Sequence, residues 1–430
     1  MIRNYYVCLF KTALAPLAGI AKRQRESSLS IGLRSRMIGQ SRFNTAYVTM
    51  WIERILLPKV SQYLEKGKAV LLIGPRQVGK TTLLEKIAER HPQKTLWIDC
   101  DEPDLRRQLT DITSSALKTW IAEAELVLID EAQRVKNIGL TLKLITDRIK
   151  KVELLVTGSS SLDLANEINE PLTGRKWEFT LLPISTEEML QYHGSQEEKR
   201  LLHHRLIYGM YPEVINRPGQ ERALLGQLSS SYLYKDIFTF QDVRKPEILE
   251  KLLQALALQI GSEVSYHELA QLTGSDQATV QRYLDLLEKA FVVFRLPAFS
   301  RNLRNELKKS RKIYFYDNGI RNAVLNNFQQ VELRPDIGAL WENFLVSERL
   351  KWLINNQYFA NRYFWRTTQQ QEIDYLEEKD GKITAFEFKW NPNSKVSFPK
   401  TFLGAYQNVE TFVVTPENYF EFLTPATSGR

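Results

Sequence analysis

Lys68-Ala-Val-Leu-Leu-Ile73 runs without a break into Gly74-Pro-Arg-Gln-Val-Gly79-Lys80-Thr81-Thr82, and then into Leu83-Leu-Glu-Lys-Ile-Ala88. The first piece is a short apolar run of the kind that forms a strand buried on both faces. In the last piece, Leu83, Leu84, Ile87 and Ala88 recur at helical spacing. Strand, G-x-x-x-x-G-K-T, helix is the full context of a phosphate-binding loop, and it predicts a parallel α/β sheet of the P-loop NTPase type. Glycines let backbone N–H groups wrap a phosphate at a helix N-terminus, where the dipole favours negative charge. Gly74, Pro75, Arg76, Gln77, Val78, Gly79, Lys80, Thr81 and Thr82 are therefore the expected nucleotide-binding set. Lys80 would neutralise the β/γ oxygens of ATP, and Thr81 would be a magnesium ligand.

Working outward, Glu125-Leu-Val-Leu-Ile-Asp130-Glu131 is a second buried strand that ends in adjacent carboxylates, fifty residues after Lys80. Such a pair suits magnesium at Asp130 and a base, Glu131, for the attacking water. On its own the pattern is equally a strand running into an acidic turn. A third strand, Val152–Thr157, ends at Gly158-Ser-Ser-Ser161. Thr157 or Ser159 is then a candidate γ-phosphate sensor, with a plain helix cap for 162–168 as the alternative. Leu172-Thr-Gly-Arg175 leads into a strand-like Trp177–Leu182. Arg175 is either an arginine finger shared with a neighbouring copy in a homo-oligomer, or a surface ion pair. Thr95–Asp99 reads as the remaining strand, and the acids from Asp99 to Asp104 as a solvated loop.

From Met50 onward the chain resembles the bacterial and archaeal AAA-type ATPases that join an N-terminal P-loop domain to a C-terminal domain of unknown function. The resemblance rests on the loop Gly74–Thr82, L-I-D-E-A-Q at Leu128–Gln133, T-G-S-S at Thr157–Ser160, L-T-G-R at Leu172–Arg175 with L-P-I-S at Leu182–Ser185, and K-I-Y-F-Y-D-N-G at Lys312–Gly319. It implies an ATP-dependent hydrolase. One position departs from the family pattern: Gly209-Met210-Tyr-Pro-Glu213 stands where G-G-Y-P-E is usual. Losing a residue that tolerates positive φ predicts a differently built loop there.

Ser195–Tyr234 reads as helices, expected as a lid over nucleotide. Glu247–Ile260 is a buried helix, and Ser265 and Glu268 have capping-box spacing at the start of the next. A glycine turn at Gly274, a helix over Asp276–Ala290 striped by Val280, Leu284 and Leu287, and the strand Phe291–Leu296 complete a winged helix-turn-helix pattern. The exposed candidates Ser275, Gln277, Thr279, Gln281 and Arg282 are polar but scarcely basic, so DNA contact and a docking role both stand. Arg301, Arg304, Lys308, Lys309, Arg311 and Lys312 form a denser basic patch, expected to face DNA phosphates.

In the last segment, Leu340–Leu350 is expected as an amphipathic helix carrying Glu342. Asp374 lies in a strand-like stretch, and Glu387 and Lys389 alternate onto one strand face. Helix acid, strand acid, then E-x-K resembles the restriction-endonuclease-like fold, which the AAA-type resemblance also implies for this domain. That likeness makes Asp374 and Glu387 magnesium ligands, Glu342 a further acid, Lys389 the residue that orients water, and Gln407 a weaker candidate on the next helix. E-x-K by itself is common as a surface ion pair, and a fold does not fix a function.

The expected layout is a basic unstructured extension over 1–49, a P-loop ATPase core over 50–190, a helical lid or linker over 191–240, a winged helix-turn-helix over 241–300 and an α+β restriction-endonuclease-like domain over 301–430. Charge supports the first division. Of the formal +8 on 430 residues, Met1–Thr49 carries eight basic residues against Glu26 alone. The remaining body is close to neutral, so overall charge gives no nucleic-acid signal. The leader has the composition of a transit-type or weak signal segment, but without a packing pattern it reads better as an upstream extension. Two cysteines exclude a disulfide scaffold, and no apolar run is long enough to span a membrane, so a cytoplasmic location is expected.

Overall fold

The computed structural model describes residues 51–92, 94–158, 171–230, 245–300 and 311–425, with 231–233 by backbone alone. The expected leader, Ser159, Arg301, Arg304, Lys308 and Lys309 lie outside the described residues.

Five strands form the first sheet: β1 (Ala69–Ile73), β2 (Thr95–Asp99), β3 (Leu126–Asp130), β4 (Glu153–Gly158) and β5 (Lys176–Thr180). All are parallel, in the order β2-β3-β4-β1-β5. Side chains alternate across a strand, and the sequence uses both faces. Val70 and Leu72 of β1 join Leu126, Leu128 and Leu155 in one core, whereas Ala69, Leu71 and Ile73 join Val127, Ile129 and Val156 in another. Burial on both sides is why these strands read as continuous apolar runs. Because β4 lies between β1 and β3, the end of β4 sits between the phosphate loop and Asp130.

The helices expected as a lid divide between two cores. Leu202, Leu206 and Ile207 pack with the C-terminal domain. Tyr211, Val214, Leu224 and Leu225 share a core with Leu83 and Leu84 of the helix after the phosphate loop and with Leu249, Leu252 and Leu253. Gly209 takes φ +71, and a Cβ on it would overlap the Asp317 carboxylate. Met210 is not among the residues with positive φ and is buried. Its N–H donates to Asp317 Oδ2 at 2.7 Å. The differently built loop is therefore not needed: the left-handed position is the glycine that this chain retains.

Helices Pro246–Leu258, Tyr266–Thr273 and Gln277–Lys289 come next, with β6 (Glu263–Val264), β7 (Val293–Pro297) and β8 (Arg311–Phe315) in an antiparallel sheet ordered β6-β8-β7. Ser265 makes no side-chain cap, so the expected capping box with Glu268 does not form. Asp276 instead caps the next helix, accepting from Thr279 N at 2.8 Å. The boundary expected at 300/301 falls inside the β7–β8 pair. Sequence groups β8 with the C-terminal domain, but both of its strand partners, β6 and β7, belong to the segment before that boundary.

The last sheet is β9 (Asn361–Arg366), β10 (Glu372–Lys379), β11 (Lys382–Phe388) and β12 (Val409–Val414), ordered β12-β11-β10-β9. Its pairs are antiparallel except β11–β12, which is parallel. The helix Ile337–Asn355 lies against it and is not amphipathic. Most of its apolar residues are buried together with Asn343, Ser347, Glu348, Arg349 and Lys351, all of which find polar partners.

Candidate functional site

At the end of β1 the chain turns through Gly74, φ +156, where a Cβ would overlap the Leu181 carbonyl oxygen. Gln77 and Gly79 also take positive φ, at +59 and +91, so the loop curls before the helix Lys80–Ala88 begins. Lys80 is buried and its Nζ donates to the carbonyls of Gly74 at 3.0 Å and Pro75 at 2.8 Å. The Thr81 hydroxyl donates to Asp130 Oδ2 at 2.7 Å. Asp130 Oδ1 accepts from the Thr157 hydroxyl and, at 3.1 Å, from Glu131 N. Glu131 itself has φ +51, and its carboxylate accepts from Gln133 Nε2 at 2.5 Å. A curled loop at a helix start, a lysine folded over its mouth and a hydroxyl beside a buried carboxylate form a donor set that fits a magnesium–nucleotide group.

Thr157 is fully buried. Its hydroxyl donates to Asp130 Oδ1 and accepts from Glu131 N at 3.2 Å; the sequence offered it, or Ser159, as a γ-phosphate sensor, with a helix cap as the alternative. Arg175 donates from Nε to Asp147 Oδ1 at 2.7 Å and is partly exposed, the ion-pair alternative. Thr82 is exposed on the first turn, beside Thr81. Under the site lies Cys100, whose thiol is pushed up to about 12 by burial and by the Asp99 and Asp130 carboxylates.

Sequence reasoning missed Arg54. This buried residue donates to Val78 O in the phosphate loop at 2.7 Å, to Leu182 O at 2.6 Å and to Glu188 Oε1 at 2.9 Å. Glu188 closes a capping box with Ser185. That box had a readable signal, S-x-x-E before a helical run, whereas nothing local marks Arg54.

A second cluster lies in the C-terminal half. The β10–β11 register pairs Tyr375 with Phe386, which sets Asp374 opposite Glu387. The β9–β10 register shifts between Ile373 and Leu376, an irregularity of the kind that re-aims side chains. Asp374 Oδ2 accepts from Phe388 N at 2.8 Å and lies 3.7 Å from Lys389 Nζ, which donates to Glu387 Oε2 at 2.7 Å. Burial and the Asp374 charge raise Glu387 to about 7. Burial opposes the charge of Lys389, but Asp374 and Glu387 outweigh it and raise its pKa.

Glu342 is brought to the same region by Lys312 and Tyr314, which both meet its Oε1, at 2.9 and 2.6 Å. Lys312 also contacts Glu372 Oε1 at 2.5 Å. Lys312 is 2% exposed, so this member of the expected basic patch does not face solvent phosphates. Arg311 lies over the Tyr266 ring at 5.0 Å. Gln407 is exposed and lies beyond the helix Lys400–Ala405 rather than on it. Glu372, Tyr314 and Lys312 are members of the cluster that the sequence did not assign; the alternation of Lys312 and Tyr314 along a strand was the available signal.

A family model described as an AAA domain matches residues 66–190. Two further models, each described as a domain of unknown function (DUF8612 and DUF4143), match 199–331 and 337–423. An uncharacterized protein of Mycobacterium tuberculosis is 30% identical over 346 residues, which cover 79% of this chain and 74% of that protein. The chain belongs to the same family. The same figures hold for an uncharacterized protein of Mycobacterium bovis, and one from Methanocaldococcus jannaschii is 23% identical over 72% of each chain. Among solved structures, Thermotoga maritima RuvB aligns at 17% identity over 59% of this chain and 92% of its own, with a TM-score of 0.30. A Drosophila ORC structure with AT-rich DNA and Cdc6 aligns at 13% identity over 63% and 90%, with a TM-score of 0.24. No helix among the described residues is long and apolar enough to cross a membrane.

Proposed function

We propose that this family member is a magnesium-dependent ATPase whose nucleotide state controls a C-terminal winged-helix and nuclease-like module that acts on DNA in the cytoplasm. The observation that carries the ATPase reading is the contact of Thr81 with Asp130 beside a phosphate loop closed by Lys80. ATP would be held by the backbone of Gly74–Thr82 and by Lys80, with Thr81 and Asp130 on magnesium. The ion would supply charge neutralisation at the phosphates. Glu131 would take the proton of the attacking water, and Asp130 and Thr157 would hold its backbone in place. Arg175, released from Asp147, would act in a neighbouring copy. ATP turnover by the purified chain, with Lys80→Ala beside it, is the test. Hydrolysis that survives this substitution unchanged would overturn the reading.

A second reading, an ATP-gated DNA endonuclease, is favoured by Asp374 and Glu387 facing one another with Lys389 between them. The three helices from Pro246 and the β6-β8-β7 sheet have the order of a winged helix, with Gln277, Gln281 and Arg282 exposed on the third. Plasmid cleavage in magnesium, lost in Lys389→Ala, supports this reading. A domain that neither cuts nor binds DNA at low salt supports a docking module instead.

A further inference from the structure

Two acids on one site ordinarily converge on open space that a cation fills, and a carboxylate already satisfied by an internal ammonium is not available for that purpose. One oxygen of Glu342 is in the second condition. Its Oε1 accepts from Lys312 Nζ at 2.9 Å and from the Tyr314 hydroxyl at 2.6 Å. The same Lys312 ammonium reaches Glu372 Oε1 at 2.5 Å, so one buried cation spans two carboxylates. Arg366 approaches the other Glu372 oxygen at 3.7 Å. Asp374 and Glu387 are engaged by Lys389 rather than by Lys312. Among the described residues, no group of three or more His, Cys, Asp or Glu side chains is arranged to hold a metal. Glu342, the further acid that the sequence resemblance implied beside the magnesium ligands Asp374 and Glu387, is held apart from them by Lys312 in this arrangement.

We propose that Lys312 is a fixed internal cation standing between Glu342 and Glu372 where a divalent ion would otherwise bind, so that Glu342 is a structural anion and not a metal ligand. Its place in the fold supports this. Lys312 is on β8, paired on both sides with β6 and β7, and its side chain is 2% exposed beneath the Phe364 ring, 5.6 Å away. To swing out and admit an ion, the side chain would have to give up both carboxylates and its place beneath Phe364. Any divalent ion is thereby restricted to the Asp374 and Glu387 end, where Lys389 is half-buried and is the cation to be displaced.

The inference rests on taking these side chains as one site, and not on DNA being cut. Manganese titration of the full chain, by calorimetry and by electron paramagnetic resonance, tests it apart from any cleavage assay. Glu342→Gln should leave the wild-type manganese isotherm within about twofold, whether the wild type binds an ion or none. Weaker manganese binding in that variant would overturn the proposal. Lys312→Met should gain one bound manganese per chain relative to wild type, and manganese should raise its melting temperature without raising that of wild type through this site. No gained ion in a folded Lys312→Met also overturns it. If Lys312→Met does not fold, the Glu342→Gln isotherm decides alone.

Discussion

Single side chains at the phosphate loop have separable effects. Lys80→Ala removes a buried ammonium that would meet phosphate oxygens. At roughly 1.5–3 kcal/mol for a hydrogen bond to a charged group, ATP affinity should fall by about 10- to 100-fold, read by fluorescent-nucleotide titration. Glu131→Gln should leave that affinity in place and lower turnover by about 10²- to 10⁴-fold, the usual yield of a positioned base. In the C-terminal cluster, Glu387 titrates near 7 in the fold against an ordinary value of 4.5. A raised carboxyl favours folding fully below its ordinary value, and that contribution is lost as pH rises toward about 7. Asp374 and Lys389 face it from the same sheet. Urea midpoints of the metal-free chain should fall between about pH 4.5 and 7, and Glu387→Gln should flatten that slope. Lys312 shows why residue roles were only partly legible. Its sequence neighbours are basic, which reads as a surface patch, yet Glu342 and Glu372 lie 30 and 60 positions away and decide its burial.

Elements were easier to read than their joints. β1, β3 and β4 announce themselves as apolar runs, since both faces of their sheet are covered. The helix Ile337–Asn355 misled because its charged residues imply a wet face, while Glu348 accepts from Thr186 N at 2.7 Å and from its hydroxyl at 2.9 Å, both far away in sequence. Arg54 belongs to this scale because it joins three elements. Arg54→Ala would leave Glu188 buried without its guanidinium and free two carbonyls of partners. Breaking a buried ion pair in this way costs about 3–5 kcal/mol, and Arg54→Lys should restore part of it. Chemical unfolding measures both, and a loss below about 1 kcal/mol, the worth of an exposed pair, would show that the fork is not structural.

For the whole molecule, the described residues from Trp51 onward form one compact unit. The core beneath the phosphate loop also contains Leu249, Leu252 and Leu253 of the helix Pro246–Leu258 and Leu284 and Leu287 of Gln277–Lys289. Sequence divides this chain cleanly into an ATPase and its appendages because each motif is local, but the apolar surfaces that cover the motifs are not. A fragment of residues 50–190 would expose that shared face. It should bind an apolar dye strongly and melt well below the Met50–Arg430 chain, with the loss checked by calorimetry; equal melting temperatures would contradict the shared core.

The helix Ile337–Asn355 also acts as a gauge of phase. It presents Glu342 to Lys312 and Tyr314 and, six residues later, Glu348 to Thr186 beside the Ser185 cap. Each residue of an α-helix advances about 1.5 Å and turns about 100°. Inserting or deleting one residue between the two acids therefore rotates one of them away from its partners, whichever end stays docked. Substitutions along this stretch change one contact at a time; a change in its length sets the two ends of the protein out of step.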